Sequence, residues 1–254
     1  MTAAEPARRM LPGKLRPEGV GLFLDVDGTL LDIAPRPDAV EVEPGLPGDL
    51  AAAQRTLCGA VALVSGRPIA ELDRLFAPLR LAASGVHGAQ FRRRPGDSIV
   101  ALADGCLGNA AWRALNRLLG EHPGSYAENK EVSFAVHYPD PGTDIAGLKA
   151  ALERMTERFA PPGRTLNLLA GRAVFEIQLA GFDKGRAIRR FMDEPPFRGR
   201  KPVFIGDDEI DRAGFDAALS LGGFAYAVGT ELPGLTGSFP GPAAVRAWLH
   251  GFAR

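Results

Sequence analysis

The stretch Leu22-Phe23-Leu24-Asp25-Val26-Asp27-Gly28-Thr29-Leu30 constrains this chain more than any other. An apolar run ends abruptly in two carboxylates one residue apart; a glycine, a hydroxyl and further apolar residues follow. A short apolar run bounded by turn residues reads as a buried strand. Two acids at its end are costly in a dry setting unless they bind something. One reading is that they hold a divalent metal and attack an electrophile beside it. The other is a hairpin, because Asp-Gly closes tight turns.

The segments on either side help to choose. Val20–Leu24 reads as a strand, followed by an extended connection marked by Pro35, Pro37, Pro44 and Pro47 and a helix over Asp49 to Leu57. Ala60 to Val64 is a second apolar run stopping at Ser65-Gly66-Arg67-Pro68, with a helix from Ile69 to Phe76. Leu81-Ala82-Ala83 then leads into Gly85-Val86-His87-Gly88. This alternation predicts an α/β fold with a parallel sheet covered by helices. The last third returns to the same style. A helix over Lys184 to Phe191 precedes an apolar strand, Pro202 to Ile205, that stops at Gly206-Asp207-Asp208. A helix over Ala213 to Leu219, a strand over Phe224–Val228, a surface loop from Gly229 to Pro242 and a closing helix over Ala243 to Phe252 complete it.

The middle differs. Helices are predicted over Ala110 to Leu119 and Asp144 to Phe159. Between them Ser125 to Tyr138 alternates, with Val132, Phe134 and Val136 on one face and Ser133 and His137 on the other, the pattern of a half-exposed strand. Leu166–Leu169 and Arg172–Ile177 read as two more strands. The expected organisation is a loose arm over 1–17, a discontinuous core domain over 18–106 and 181–254, and an inserted α/β cap over 107–180. Hinges are expected near Asp104–Asn109 and Gly181.

Three apolar strands thus end in reactive groups: Asp25 and Asp27, Ser65, and Asp207 and Asp208. In an open parallel sheet, ligands bind outside the carboxyl ends of the strands, so these groups converge on one crevice. That lifts the metal reading above the hairpin. Carboxylates gathered there repel one another unless a cation joins them, and a set of oxygen ligands with no His/Cys cluster suits Mg²⁺. The sequence holds no G-x-x-x-x-G-K-[ST] phosphate loop, no G-x-G-x-x-G fingerprint and no G-x-S-x-G elbow.

Composition excludes other classes. The 254 residues carry a formal net charge of zero, which points to no nucleic-acid or membrane partner. Arg92-Arg93-Arg94 is the one dense basic run, read as a solvated strand end. Two cysteines make no disulfide framework, and no apolar stretch reaches signal-peptide or bilayer length. A cytoplasmic monomer is expected.

The residues also match a family. Asp-Val-Asp-Gly-Thr-Leu at 25–30 resembles the first motif of the haloacid dehalogenase (HAD) superfamily; Ser65 resembles its second, Lys184 its third, and Gly206-Asp207-Asp208 with Asp211 its fourth. Gly28-Thr29-Leu30 through Pro44, Ser65-Gly66-Arg67, Gly85-Val86-His87-Gly88, Glu128-Asn129-Lys130, Val136-His137-Tyr138, Phe175-Glu176-Ile177 and Asp183-Lys184-Gly185 are similar to trehalose-6-phosphate phosphatases. The resemblance covers about residues 20 to 220.

The resemblance implies a Rossmann-like core with an inserted cap, and a Mg²⁺-dependent phosphatase releasing trehalose from trehalose 6-phosphate. Asp25 would be the nucleophile, forming an aspartyl-phosphate, and Asp27 the acid and base. Mg²⁺ would be held by Asp25, the Asp27 carbonyl and Asp207, with Asp208 and Asp211 orienting the ligands around it. Ser65 and Lys184 would donate to the phosphoryl oxygens, and Gly66, Arg67 and His87 would also bind substrate. Glu128, Lys130 and Glu176 would contact the sugar. Phosphatases for sucrose phosphate or mannosyl-phosphoglycerate, a sugar phosphomutase and a non-catalytic sugar-phosphate-binding module are the alternatives.

The chain departs from the family after Asp208, where x-Thr-Asp-Glu is usual and Glu209-Ile210-Asp211-Arg212 stands here. Arg212 is expected to pair with Asp208 or Asp211 or to face solvent. Pro139 replaces an arginine, and Gln178-Leu179 replaces a basic-Pro pair.

Overall fold

A computed structural model describes residues 19–34, 39–102, 107–130, 133–171 and 173–253. The expected arm, Pro35, Pro37, Val132, Arg172 and the start of the expected hinge at Asp104 lie outside the described residues.

The first half of the larger layer comprises β1 (Val20–Leu24), α1 (Leu46–Thr56), β2 (Val61–Val64), α2 (Ile69–Leu75), β3 (Ala82–Gly85), β4 (Gln90–Arg92) and β5 (Val100–Ala101). The smaller layer comprises α3 (Gly108–Leu119), β6 (Tyr126–Asn129), β7 (Ser133–His137), α4 (Ile145–Phe159), β8 (Leu166–Gly171) and β9 (Val174–Leu179). The chain then returns to the larger layer through α5 (Lys184–Met192), β10 (Lys201–Gly206), α6 (Arg212–Ser220), β11 (Phe224–Val228), β12 (Gly237–Phe239) and α7 (Pro242–His250).

The larger sheet has the order β12-β11-β10-β1-β2-β3-β4-β5. It is parallel from β12 to β3, and β4 and β5 add antiparallel pairs at one edge. Every residue of β1 and β2 is buried. Helices cover both faces of such a sheet, so its central strands are continuous apolar runs, which is why they were legible. One face packs Leu22, Leu24, Leu63 and Ile205 against α1 and α7 residues such as Leu50 and Leu249. The other packs Phe23, Phe191 and Phe197, with the Phe23 and Phe197 ring centroids 5.0 Å apart.

The second sheet has the order β6-β7-β9-β8, antiparallel throughout. Phe134, Val136, Phe175 and Ile177 share an apolar cluster with Leu115 of α3 and with Leu148 and Leu152 of α4. Val86 and Ala89, from the larger layer, join that same cluster.

Several expectations need correction. The single half-exposed strand over Ser125 to Tyr138 is a hairpin, β6 and β7, and Ser133 is fully buried. The face read as solvated buries Ser133 and turns the half-buried His137 into a crevice. Pro47 belongs to the first turn of α1, where proline's missing N–H leaves no bond unmade. The loop from Gly229 to Pro242 contains β12, paired parallel to β11. Arg92 is buried, not solvated: its guanidinium donates to both carboxylate oxygens of Asp73 at 2.6 and 2.7 Å and to the carbonyl of Leu81.

Candidate functional site

The register of the larger sheet builds one edge. Leu24 sits level with Leu63 on β2 and Ile205 on β10. Asp25, Ser65 and Asp207 therefore leave their strands side by side, and a hairpin at Asp27-Gly28 is ruled out by β1's parallel partners. Lys184 arrives as the first residue of α5, whose N-cap, Asp183, accepts a 2.7 Å bond from Arg186 N.

Lys184 Nζ stands 2.5 Å from Asp25 Oδ1 and 2.5 Å from Asp211 Oδ1. Thr29 Oγ1 donates to Asp25 Oδ2 at 3.1 Å. Asp211 Oδ2 accepts from the backbone N–H of Asp207 at 2.8 Å and of Asp208 at 3.3 Å. Oxygens of Asp25, Asp207 and Asp211 all lie within 4.8 Å of one another. Gly28 adopts φ +75°, and a Cβ there would come within 2.0 Å of Asp207 Oδ2, so only glycine lets that backbone meet the carboxylate.

The electrostatics follow from crowding. Burial pushes the Asp25 carboxyl well above the usual range; Lys184 opposes this, while Asp211 and Asp207 add to it. Burial alone would pull Lys184 down, but Asp211 and Asp25 together hold it above an ordinary lysine. The cluster therefore contains more negative charge than one ammonium balances.

Asp27 reaches the open part of the crevice, with 41% of its side chain exposed. Arg67 holds it by both oxygens, Nε to Oδ2 and Nη2 to Oδ1, each at 2.7 Å. The third Arg67 nitrogen donates to Glu71. Burial works against the guanidinium's charge, yet the bonds and charges of Asp27 and Glu71 raise its pKa further. The backbone N–H of Arg67 donates to Ser65 Oγ at 3.1 Å.

The opposite wall comes from the second sheet. Glu176 Oε2 lies 2.7 Å from His87 Nε2 and 3.5 Å from Lys130 Nζ, and Oε1 accepts from Ser133 Oγ at 2.8 Å. Burial would raise the Glu176 carboxyl, but the charges of His87 and Lys130 and the bonds from His87 and Ser133 outweigh it and hold it far below a normal glutamate. Glu128 Oε2 lies 3.4 Å from His137 Nε2, a contact that lowers its pKa against burial. The Tyr126 ring stacks on His137 at 4.8 Å between centroids.

Every candidate catalytic, metal or substrate residue named from the sequence lines one cavity of about 470 Å³: Asp25, Asp27, Ser65, Gly66, Arg67, His87, Glu128, Lys130, Glu176, Lys184, Asp207, Asp208 and Asp211. Asp208 stands outside the carboxylate triplet, and its Oδ1 accepts from Glu209 N at 2.6 Å. Asp211, expected farther out, is inside it. Arg212 is exposed and pairs with Glu209 at 3.4 Å, not with either aspartate.

Sequence reasoning passed over Thr29, Glu71, Ser133 and Tyr126. Thr29 was discoverable, lying in the same motif as Asp25. Ser133 and Glu71 carry no local signal, because their roles depend on residues brought from other segments. Ile210, part of the departure from the family pattern, packs against the end of β8: a Cβ at Gly171 would meet its Cδ1 at 2.6 Å.

The site thus offers a buried carboxylate beside a buried ammonium, a second carboxylate in the crevice, and three carboxylates close enough to hold a cation, facing a polar wall. Comparison with known proteins points the same way. A family model described as trehalose-phosphatase matches residues 23–231. The chain is similar to the trehalose-6-phosphate phosphatase of Escherichia coli (strain K12), 37% identical over 229 residues, covering 90% of this chain and 84% of that one. Among solved structures, the C-terminal domain of the C. albicans trehalose-6-phosphate phosphatase aligns with a TM-score of 0.78 at 20% identity over 93% of each chain. A trehalose-6-phosphate phosphatase related protein aligns with a TM-score of 0.75 at 24% identity, over 91% of this chain and 96% of that one. The two structures share its fold.

Proposed function

The chain belongs to the trehalose-phosphatase family, of the HAD superfamily, and from that premise we propose that it hydrolyses trehalose 6-phosphate to trehalose and inorganic phosphate through an aspartyl-phosphate on Asp25. As a member of that family it is a phosphoric monoester hydrolase. The observation that carries the mechanism is the meeting of Asp25, Asp207, Asp211 and Lys184 at one sheet edge beside Asp27.

In the proposed reaction an Asp25 oxygen bonds to phosphorus as the bond from phosphorus to the sugar oxygen breaks. Asp27 gives that oxygen its proton. Asp27 then takes a proton from water, whose oxygen bonds to phosphorus while the Asp25–phosphorus bond breaks. Phosphate leaves, with Asp25 again a carboxylate and Asp27 again carrying the proton with which it began. Lys184, Ser65 and Gly66 hold phosphoryl oxygens, and Lys184 balances their charge. Arg67 fixes the direction of Asp27 and borders the phosphoryl site. Thr29 limits the rotation of Asp25.

Mg²⁺ is the proposed cofactor. Three carboxylates facing a single ammonium, with Asp25 raised in pKa by burial and by its neighbours, fit a divalent cation that would be held by Asp25, Asp207 and the main chain of Asp27, with Asp211 beside them. When bound, the cation neutralises the repulsion between an anionic nucleophile and an anionic phosphate.

Glu128, Lys130 and Glu176 are the proposed sugar contacts, on a cap proposed to span 107–180, and His87 lines the same substrate site from the larger layer. A cytoplasmic monomer remains part of the proposal; among the described residues no helix is long and apolar enough to cross a membrane. The test is phosphate release from trehalose 6-phosphate, sucrose phosphate and glucose 6-phosphate, with and without Mg²⁺. Trehalose 6-phosphate should give the highest kcat/KM, and only with the metal. Equal or faster turnover of the others would overturn the substrate.

A further inference from the structure

Glu176 belongs to β9 of the smaller sheet, yet its carboxylate is held from two sides. Oε1 takes its bond from Ser133, on the neighbouring strand β7, while Oε2 takes its bond from His87, which follows β3 of the larger sheet. Both partners in the second contact are buried, Glu176 at 2% and His87 at 5% exposure.

The larger layer is shaped around that contact. Val86 and His87 adopt φ +47° and +50°, a region that non-glycine residues and above all β-branched ones avoid. Gly66 leaves room for the imidazole: a Cβ there would lie 2.4 Å from Nε2. Strained backbone of this kind persists only where its surroundings enforce it.

We propose that His87 is a positioning residue that makes sugar recognition by Glu176 conditional on the smaller layer being seated over the catalytic edge. This rests on the substrate reading above. A carboxylate offers about four acceptor positions. His87 and Ser133 use one on each oxygen, Lys130 stands a further 3.5 Å from Oε2, and the remaining positions are open to sugar hydroxyls. Ser133 moves with Glu176, whereas His87 stays with the nucleophile. Separation of the two layers removes the donor on Oε2 and frees the carboxylate to rotate. Glu176 is therefore an oriented acceptor only in the arrangement that also covers Asp25, and a phosphate ester without sugar hydroxyls gains nothing from it.

The test compares the sugar phosphate ranked first by the panel above with p-nitrophenyl phosphate, in the full-length protein with Mg²⁺. His87→Asn keeps a residue that tolerates positive φ but shortens the reach to Glu176. It should lower kcat/KM for the sugar phosphate about 10- to 100-fold, the range of a hydrogen bond to a charged group, with the loss mostly in KM. The loss on the aryl phosphate should be at least about tenfold smaller. Glu176→Gln should behave alike, and the double variant should be little worse than the poorer single one, as residues acting as a unit do. Thermal melts identify any variant that fails to fold. Equal losses on both substrates, or losses that multiply in the double variant, would overturn the proposal. A panel that ranks another sugar phosphate first changes the substrate assignment and leaves this comparison intact.

Discussion

Arg67 grips Asp27 through both carboxylate oxygens, each 2.7 Å away, and carries Glu71 on its remaining nitrogen. Asp27 sits in the more open part of the crevice, so without that fork its carboxylate would sample several directions. Lysine keeps the charge but not the planar fork. Arg67→Lys should lower kcat about 10- to 100-fold, a part of what general acid–base catalysis supplies, with KM changed much less. Steady-state kinetics decide it, and an unaltered kcat would remove the orienting role.

The carboxylate triplet predicts metal-linked stability. At a Mg²⁺ concentration about 100 times its Kd, mass action contributes about 2.7 kcal/mol. For a chain of this size that corresponds to a rise in Tm of about 5–10 °C. Asp207→Asn, and Gly28→Ala, which drives a Cβ into Asp207, should shrink the rise. EDTA should abolish turnover. Calorimetry with and without Mg²⁺ checks the first, and a Tm indifferent to the metal would contradict the site.

Lys184 and Asp25 should separate stability from activity. Lys184→Met leaves Asp25 and Asp211 buried without their ammonium, so both kcat, by about 10²- to 10³-fold, and metal-free Tm should fall. Asp25→Asn removes one crowded carboxylate whose charged form burial already disfavours. It should abolish turnover while metal-free Tm holds or rises, as happens when a strained functional group is relieved. A large drop in Tm for Asp25→Asn would show that this carboxylate supports the fold.

Glu176 predicts an acid sensitivity. Burial pushes its carboxyl up, but His87, Lys130 and Ser133 prevail and its folded pKa is depressed. A depressed carboxyl stabilises the fold above its unfolded pKa of about 4.3, and that stabilisation is lost progressively as pH falls below it. Tm of the unsubstituted protein should therefore drop more steeply than that of Glu176→Gln between about pH 6 and pH 3. Parallel curves from thermal melts would mean that the ion contacts contribute nothing.

Strands β1, β2 and β10 could be read directly because strands buried on both faces are unbroken apolar runs, and the polar groups that end them stand out. Strand β12, three residues long inside a Gly/Pro-rich stretch, could not, because its pairing is decided by β11 and not by its own pattern. Alternation in Ser125 to Tyr138 predicted a solvated face. That face instead lines the crevice, and a neighbouring-strand carboxylate takes up the hydroxyl of the buried Ser133. Arg92 looked like a solvated charge because its partner, Asp73, comes from α2.

The sequence by itself determined that Asp25, Asp27, Ser65 and Asp207 stand at strand ends, that Lys184 opens a helix, and that parallel strands bring them to one edge; these follow from local patterning and from the handed geometry of a parallel sheet. Only the tertiary structure decided which acids share charge. Asp211 enters the triplet because the turn after β10 folds its carboxylate back onto the backbone of Asp207, while Asp208 caps that turn. Likewise only tertiary structure joined His87 to Glu176, 89 positions apart. The reason is that burial and electrostatic pairing depend on distance in space, which a linear pattern does not carry.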